Sequence, residues 1–269
     1  MATLNAIDIS SHQTGLNLET LFARNPLHAV IVKATQGTSY VNPVCDPWVQ
    51  WLIKNNKPWG FYHYMSGSQA SAKAEAQYFY KHCVNYFGAG VPVCDLEGSA
   101  INRGPEYLKE FLDEVYALSG VKPMVYMQLS AVQSYKDGLL PTVNSGYKLW
   151  LAQYASATAK VYGFKEKPWQ SGSVYPFDKI QMHQYSDHGV LDGWSGDLDL
   201  DIFYGDENDF RQLAKKELPP APDPEPTPEP DPTPEEDWLQ IWIDFEQAEA
   251  SRHLAKAAEL KAQKEARKR

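Results

Sequence analysis

The chain has 269 residues, enough for one large domain or one domain with an appendage, and its formal net charge is −9. Acidity of that size argues against a nucleic-acid surface, which needs a basic face, and no apolar run approaches the ~20 residues of a membrane span. The opening "MATLNAIDIS" has neither the basic nor the apolar stretch of a signal peptide, and Cys45, Cys83 and Cys94 show no CxxC spacing, so the expectation is reduced thiols and synthesis in a cytoplasm without a leader.

In chain order, short apolar segments alternate with helical ones. "NAIDIS" reads as a strand, "NLETLFAR" as a helix capped by Asn17, and "HAVIVKAT" as a second strand. "DPWVQWLIKNN" is helical, "WGFYHYM" a third strand, and "SQASAKAEAQYFYKHCVNYF" a second long helical stretch. "VPVCDL" is the fourth strand, and "GPEYLKEFLDEVYALSG" a helix stopped by glycine. "PMVYMQ", "KLWLAQY", "KIQMHQYS" and "DLDIF" complete eight strands, the later ones with less helix between them. Alternation predicts a parallel α/β sheet, and eight strands in ~200 residues predict an irregular closed barrel over residues 1–217.

At residue 218 the composition changes. "LPPAPDPEPTPEPDPTPEE", residues 218–236, has proline at nearly every second position and six acids without a base, which predicts an extended spacer. Residues 237–269 read as one helix with an apolar start, Trp238, Ile241, Trp242 and Phe245, and a basic end. A lone helix cannot bury that stripe, so self-association, docking on another surface, a truncated longer module, and a solvated tail whose aromatics touch the main domain are its four expectations.

The carboxylates carry the chemistry. Side chains on a strand alternate faces, so Asp95 and Glu97 share one face, ~7 Å apart along the backbone, and Leu96 takes the other. Taken alone, such a triplet fits a strand end fraying into water. In a barrel, however, sites form at the C-terminal strand ends, where the first strand brings Asp8 and the fourth Asp95 and Glu97. Barrel closure sets the last strand, with Asp199, beside the first. Four crowded acids raise at least one pKa, and glycoside hydrolysis needs a protonated acid beside an ionised one. Metal binding is the other use of clustered acids, with His12, His63 and His183 as further donors, but no HxH or HExxH spacing supports it. A non-catalytic glycan-binding barrel is the remaining alternative.

Residues 5–204 resemble the family 25 glycoside hydrolases, lysozyme-type muramidases, through "IDISSHQ", "VIVKATQGTSYVNP", "GFYHYM", "VCDLEG", "PMVYM", "LWLAQY" and "HQYSDHGVLDGWSGDLDLDIF". The resemblance implies an irregular TIM-like (β/α)5(β)3 barrel that cleaves the β-1,4 bond between N-acetylmuramic acid and N-acetylglucosamine in peptidoglycan, with no cofactor and no metal. It implies Glu97 as general acid, Asp95 as its partner, either nucleophile or orienter of the substrate's acetamido oxygen, and Asp8 and Asp199 as companions. Asp201 stands where the family pattern has Asn, and alternation leaves Asp197 and Asp201 as competitors for the place of Asp199. Lys33, Tyr62, Tyr126 and Gln184 fall at positions expected to line the sugar groove. For both tyrosines the plain alternative is core packing, for Lys33 an ion pair with one of the acids, and for His63 a hydrogen-bonded place in the barrel wall. His183 departs from the Trp often found before the Gln-Tyr pair. The expected setting is a phage endolysin made in the host cytoplasm and released by a holin, its basic tail contacting anionic wall polymers or membrane surfaces.

Overall fold

The computed structural model describes residues 2–67 and 70–217, together with scattered residues between 243 and 265. Two compact units are present, residues 1–219 and 220–269. In the second, the described residues are helical. The 218–236 spacer and the apolar stripe of Trp238, Ile241, Trp242 and Phe245 lie outside the described residues.

The first unit begins with β1 (Thr3–Ile9), a short 3-10 turn, and α1 (Leu18–Arg24). Asn17 caps α1 by accepting from the Thr20 N–H at 3.0 Å. There follow β2 (Ala29–Gln36), the two-residue β3 (Tyr40–Val41), α2 (Cys45–Lys54), β4 (Trp59–Tyr64), α3 (Ala72–Cys83) and β5 (Val91–Asp95). The second half comprises α4 (Gly104–Ser119), β6 (Met124–Gln128), α5 (Leu129–Ser134), α6 (Leu140–Asn144), β7 (Leu149–Ala152), β8 (Val161–Tyr162), β9 (Ile180–Val190), β10 (Leu198–Tyr204) and α7 (Glu207–Gln212).

Eight strands close in the order β1-β10-β9-β7-β6-β5-β4-β2, with β2 pairing back to β1, while β3 and β8 hang on β2 and β9. All eight coincide with the strands expected from the sequence. One feature of the expected sheet does not hold. β10 runs antiparallel to both β1 and β9. It follows β9 through a short loop, residues 191–197, with no helix to carry the chain back, so it returns as a hairpin partner. The helices α5 and α6 have no counterpart in the sequence reading, because "LSAVQSYKDGLLPTVNSG" is too short and too broken by Gly and Pro to show a helical period.

Strand alternation splits the core in two. Outward-facing Ile7, Val32, Phe61, Cys94, Leu151 and Leu200 pack beneath the helices. Inward-facing Ala6, Ile31, Val93, Met124, Trp150, Met182 and Phe203 fill the lumen. Phe210 of α7 meets Phe203 edge-on, centroids 5.1 Å apart, and closes the mouth at the N-terminal ends of the parallel strands. The lumen is therefore plugged at one end and free to carry polar groups at the other. All three cysteines are buried free thiols.

Candidate active site

β5 delivers the first pair. Asp95 is its last residue and is buried, while Leu96 turns outward into the helix-facing core. The ladder runs slightly further: Met65 N–H donates to the Asp95 carbonyl and Leu96 N–H to the Tyr126 carbonyl, each at 3.0 Å. Glu97 therefore still points with Asp95, half-buried at the rim. Gly98 then adopts φ +54, and a Cβ there would lie 2.9 Å from the Tyr64 hydroxyl. Glycine lets the chain leave the barrel directly after Glu97 without strain or collision.

The second pair comes from strand closure. Asp8 near the end of β1 stands opposite Asp199 near the start of β10. Because β10 is antiparallel, its start lies at the rim where the parallel strands end. Asp8 accepts from Gln184 Nε2 at 2.6 Å, and Gln184 Oε1 in turn accepts from Tyr126 at 2.7 Å and from Tyr154. Asp197 is exposed and pairs with Lys160, away from this assembly. Asp201 points inward like Asp199 but deeper, fully buried, accepting from Trp150 Nε1 at 2.9 Å. Of the three candidates for the fourth acid, Asp199 lines the open cleft.

That cleft has a volume of about 300 Å³. All eight site residues expected from the sequence line it: Asp8, Asp95, Glu97 and Asp199, with Lys33, Tyr62, Tyr126 and Gln184. Tyr62 and Tyr126 are at once buried lumen residues and cleft walls, so core packing and lining are the same position seen from two sides. Lys33 makes no ion pair within 4 Å with either acid. Its ammonium donates to Gln36 Oε1 at 2.7 Å and sits over the Tyr64 ring, 4.3 Å from the centroid. Sequence reasoning did not single out Tyr64, Trp150, Tyr154 or Asp187 as cleft residues. For Tyr64, Trp150 and Tyr154 the signal was available, because each is two residues from an inward-facing strand residue, Tyr154 lying just past the end of β7. Asp187 had no such signal, since it lies within the irregular stretch, between Ser186 and Gly189, where β9 and β10 shift register.

Crowding sets the electrostatics. Burial, then Glu97 and Asp8, pushes the Asp95 carboxyl well above the usual carboxylate range, and Lys33 opposes this. Glu97 is raised by burial and likewise opposed by Lys33. Asp8 is raised by burial and by Asp201, against the hydrogen bond from Gln184, and Asp199 by burial, Asp8 and Asp187. Burial lowers the Lys33 ammonium, while Asp95 and Glu97 hold it up. The cleft therefore retains protons at a pH where exposed carboxyls have lost theirs.

The histidines stand apart from the acids, except His12, which lines the cleft. His63 faces outward, its Nδ1 bonded to Thr35 Oγ1 at 2.8 Å and its Nε2 to Glu75 at 3.0 Å, so it is a hydrogen-bonded residue of the barrel wall. His183 is fully buried, 2.8 Å from the Gln153 carbonyl, and does not touch the cleft. Among the described residues, no three His, Cys, Asp or Glu side chains are grouped to hold a metal ion.

Known proteins match this architecture and this sequence. The sequence profile described as "Glycosyl hydrolases family 25" matches residues 7–194, which takes in Asp8, Asp95 and Glu97 and stops short of Asp199. The N,O-diacetylmuramidase of Chalaropsis sp is 27% identical over 192 residues, spanning 65% of this chain and 90% of its own. The autolytic lysozyme of Clostridium acetobutylicum is 27% identical over 208 residues, 74% of this chain and 56% of its own. A bacterial lysozyme from Streptomyces coelicolor shares the fold with a TM-score of 0.63 at 20% identity, over 80% of this chain and 98% of its own. Closed barrel, paired acids on β5 and the profile match over most of the barrel agree, and the chain belongs to glycosyl hydrolase family 25, a glycoside hydrolase of the lysozyme type.

Proposed function

We propose that this chain is an N-acetylmuramidase that cleaves the β-1,4 bond between N-acetylmuramic acid and N-acetylglucosamine in peptidoglycan, with Glu97 as the general acid and Asp95 as its partner. The observation that carries the reading is the convergence of Asp95 and Glu97 from β5 with Asp8 from β1 and Asp199 from β10 on one cleft. Glu97, half-buried at the rim, gives its proton to the glycosidic oxygen as the C1–O bond breaks, and the leaving sugar departs as an alcohol. Positive charge develops on the sugar ring and is stabilised by the buried anions below it. Water then completes the hydrolysis at C1 and returns a proton to Glu97.

Two roles fit Asp95. As a nucleophile it forms a covalent glycosyl-enzyme, and as an orienter it accepts from the substrate's acetamido N–H and steers that group's oxygen onto C1. Its Oδ1 is buried and receives no hydrogen bond from the protein, which supports an acceptor awaiting a substrate donor. Intact-protein mass spectrometry with a slow fluorinated substrate separates the two, since only the nucleophile accumulates an adduct. The finer setting, lysis of a host wall at the close of a phage cycle, is part of this proposal, and kinship with a protein named an autolytic lysozyme supports a lytic role.

The test is digestion of purified walls followed by mass spectrometry of the products. New muramic-acid reducing ends are expected. Glucosamine reducing ends, or free amines from peptide cleavage, would refute the bond assignment. Glu97→Gln is expected to lower the rate by about 10²–10⁴-fold with an unchanged melting temperature. A loss of only a few-fold would remove Glu97 from the role, and sensitivity to EDTA would favour a metal-dependent hydrolase instead.

A further inference from the structure

Asp201 is a carboxyl that the proposed chemistry does not use. It is completely buried in the lumen, below the cleft. Its Oδ1 accepts from Trp150 Nε1 at 2.9 Å, and its Oδ2 is buried with no N–H, Tyr or Ser donor within reach. The carboxyls that act on Asp201 in the lumen are those of Asp199 and Asp8. Ala6 stands opposite Asp201 and Asp8 opposite Asp199 in the β1–β10 register, so Asp8 has two carboxyl neighbours on the lumen face, Asp199 directly across and Asp201 one inward position deeper, and side-chain hydrogen bonding couples it to each. Asp8 already accepts from Gln184 Nε2 on Oδ2. Two ionised carboxylates cannot bond to each other, because each is acceptor-only, and apposing them in a dry lumen is unfavourable.

We propose that Asp8 and Asp201 share one proton through a carboxyl–carboxylate hydrogen bond, and that Asp201 is thereby the positioning residue that fixes Asp8 under the cleft. The pair then carries a single negative charge held by three donors, namely Gln184 Nε2, Trp150 Nε1 and the shared proton. The groups around it enforce this. Asp199 of β10 and Glu97 and Asp95 of β5 are acids, Tyr185 of β9 and Tyr62, Tyr126 and Tyr154 of the neighbouring strands are phenols, and the cleft's one ammonium, Lys33, acts on Asp95 and Glu97. A second negative charge in this pair would face acids with no cation of its own. Burial raises both members, and repulsion adds to it, from Asp201 on Asp8 and from Asp199 on Asp201.

The experiment is isotope-edited infrared spectroscopy of the full chain labelled with ¹³C-carboxyl aspartate, at pH 7. A protonated-carboxyl stretch is expected in the wild type. That intensity is expected to fall in Asp201→Asn and to fall equally in Asp8→Asn, because removing either partner removes the need for the proton. Asp197→Asn, at the exposed partner of Lys160, is the control and leaves the band intact. A band unchanged by Asp201→Asn, or absent from the wild type, overturns the shared proton. An Asn at 201 still accepts from Trp150 through its oxygen and donates to Asp8 through its amide, whereas Leu does neither. Hydrolysis by Asp201→Asn is therefore expected to exceed that of Asp201→Leu by at least tenfold. Equal losses in both variants, each melting as the wild type does, would refute the positioning role. The activity arm rests on the muramidase reading, but the infrared arm does not, so a chain that failed to cleave peptidoglycan would leave the shared proton decided on its own.

Discussion

At the residue scale, the site is a set of carboxyls whose charges are balanced against one ammonium. Lys33 reaches no acid at contact distance, yet its field is the opposing influence on both Asp95 and Glu97. Burial of the acids raises their pKa values, Lys33 lowers them, and removing the ammonium must raise both further. Lys33→Met is therefore expected to shift both limbs of the pH–rate profile upward by about half to one pH unit. The alkaline limb moves because Glu97 keeps its proton longer, and acid-side activity drops because the partner carboxylate ionises later. A Lys33 that merely gripped substrate would raise KM and leave the limbs in place, so kcat measured against pH decides between them. The four acids and Lys33 were legible because each sits at a rim-side strand position and strands can be read from apolar runs. What could not be read was who bonds to whom. Gln184 read as a groove-lining amide, and it is also a hub that takes two phenol donors and passes one donor on to Asp8.

At the element scale, the loop after β4 is fastened to the loop that presents Glu97. Glu75 on α3 is buried and accepts from His63 Nε2, Ser66 N–H at 3.1 Å, Ser66 Oγ at 2.8 Å and Tyr107 OH at 2.9 Å. Ser99 Oγ donates to the Ser66 carbonyl, and Gly67 packs so closely on Ser99 and Ala100 that a Cβ would lie 2.7 Å from the Ala100 nitrogen. Burial pushes Glu75 up, but its donors outweigh burial and hold it below the usual carboxylate value, while burial keeps His63 low and neutral. The signs agree. A depressed acid contributes stability above its unfolded pKa and loses it as pH falls, and a His buried neutral loses stability as pH falls below the ordinary imidazole value. Glu75→Ala removes the acceptor of four buried or part-buried hydrogen bonds, and its expected cost is about 3–5 kcal/mol, or about 10 °C in melting temperature. The penalty shrinks towards acid pH, which melting curves at several pH values check. A melting temperature within 2 °C of wild type would refute the clamp. None of this was visible in the sequence, because Glu75 reads as one more polar residue on a helix whose buried face shows only once α3 lies on β4. The antiparallel β10 was hidden for a similar reason: an apolar run announces a strand but carries no direction.

At the scale of the whole molecule, the change of composition at residue 218 was the plainest feature of the sequence, and the barrel itself shows where its first unit can be cut. The chain leaving α7 is pinned at Glu217, whose N–H donates to the Gly120 carbonyl at 2.7 Å and whose carboxylate pairs with Lys122 at 2.7 Å. Both contacts lie on the α4–β6 turn. Beyond Glu217 come six acids in a proline-rich run, then seven Lys and Arg against two Glu over residues 251–269. So short a basic stretch lacks the material for a core of its own, and its charge is opposite to that of the −9 chain that carries it. We infer that it serves to hold the enzyme on anionic wall polymers. A chain ending at Glu217 keeps the clamp and both cores. It is expected to melt within ~2 °C of the full chain and to hydrolyse soluble glycan strands at the same rate. Binding to intact walls is expected to weaken, and the difference from the full chain to vanish above about 0.5 M salt, where the Debye length drops below ~5 Å and surface charges no longer attract. Truncation after residue 214 instead removes the Glu217 contacts with Gly120 and Lys122 and is expected to lower the melting temperature, separating loss of fold from loss of targeting. If the chain ending at Glu217 binds intact walls as tightly as the full protein at low salt, the tail is not a targeting element, and a shift in the full chain's sedimentation with concentration would assign it to self-association.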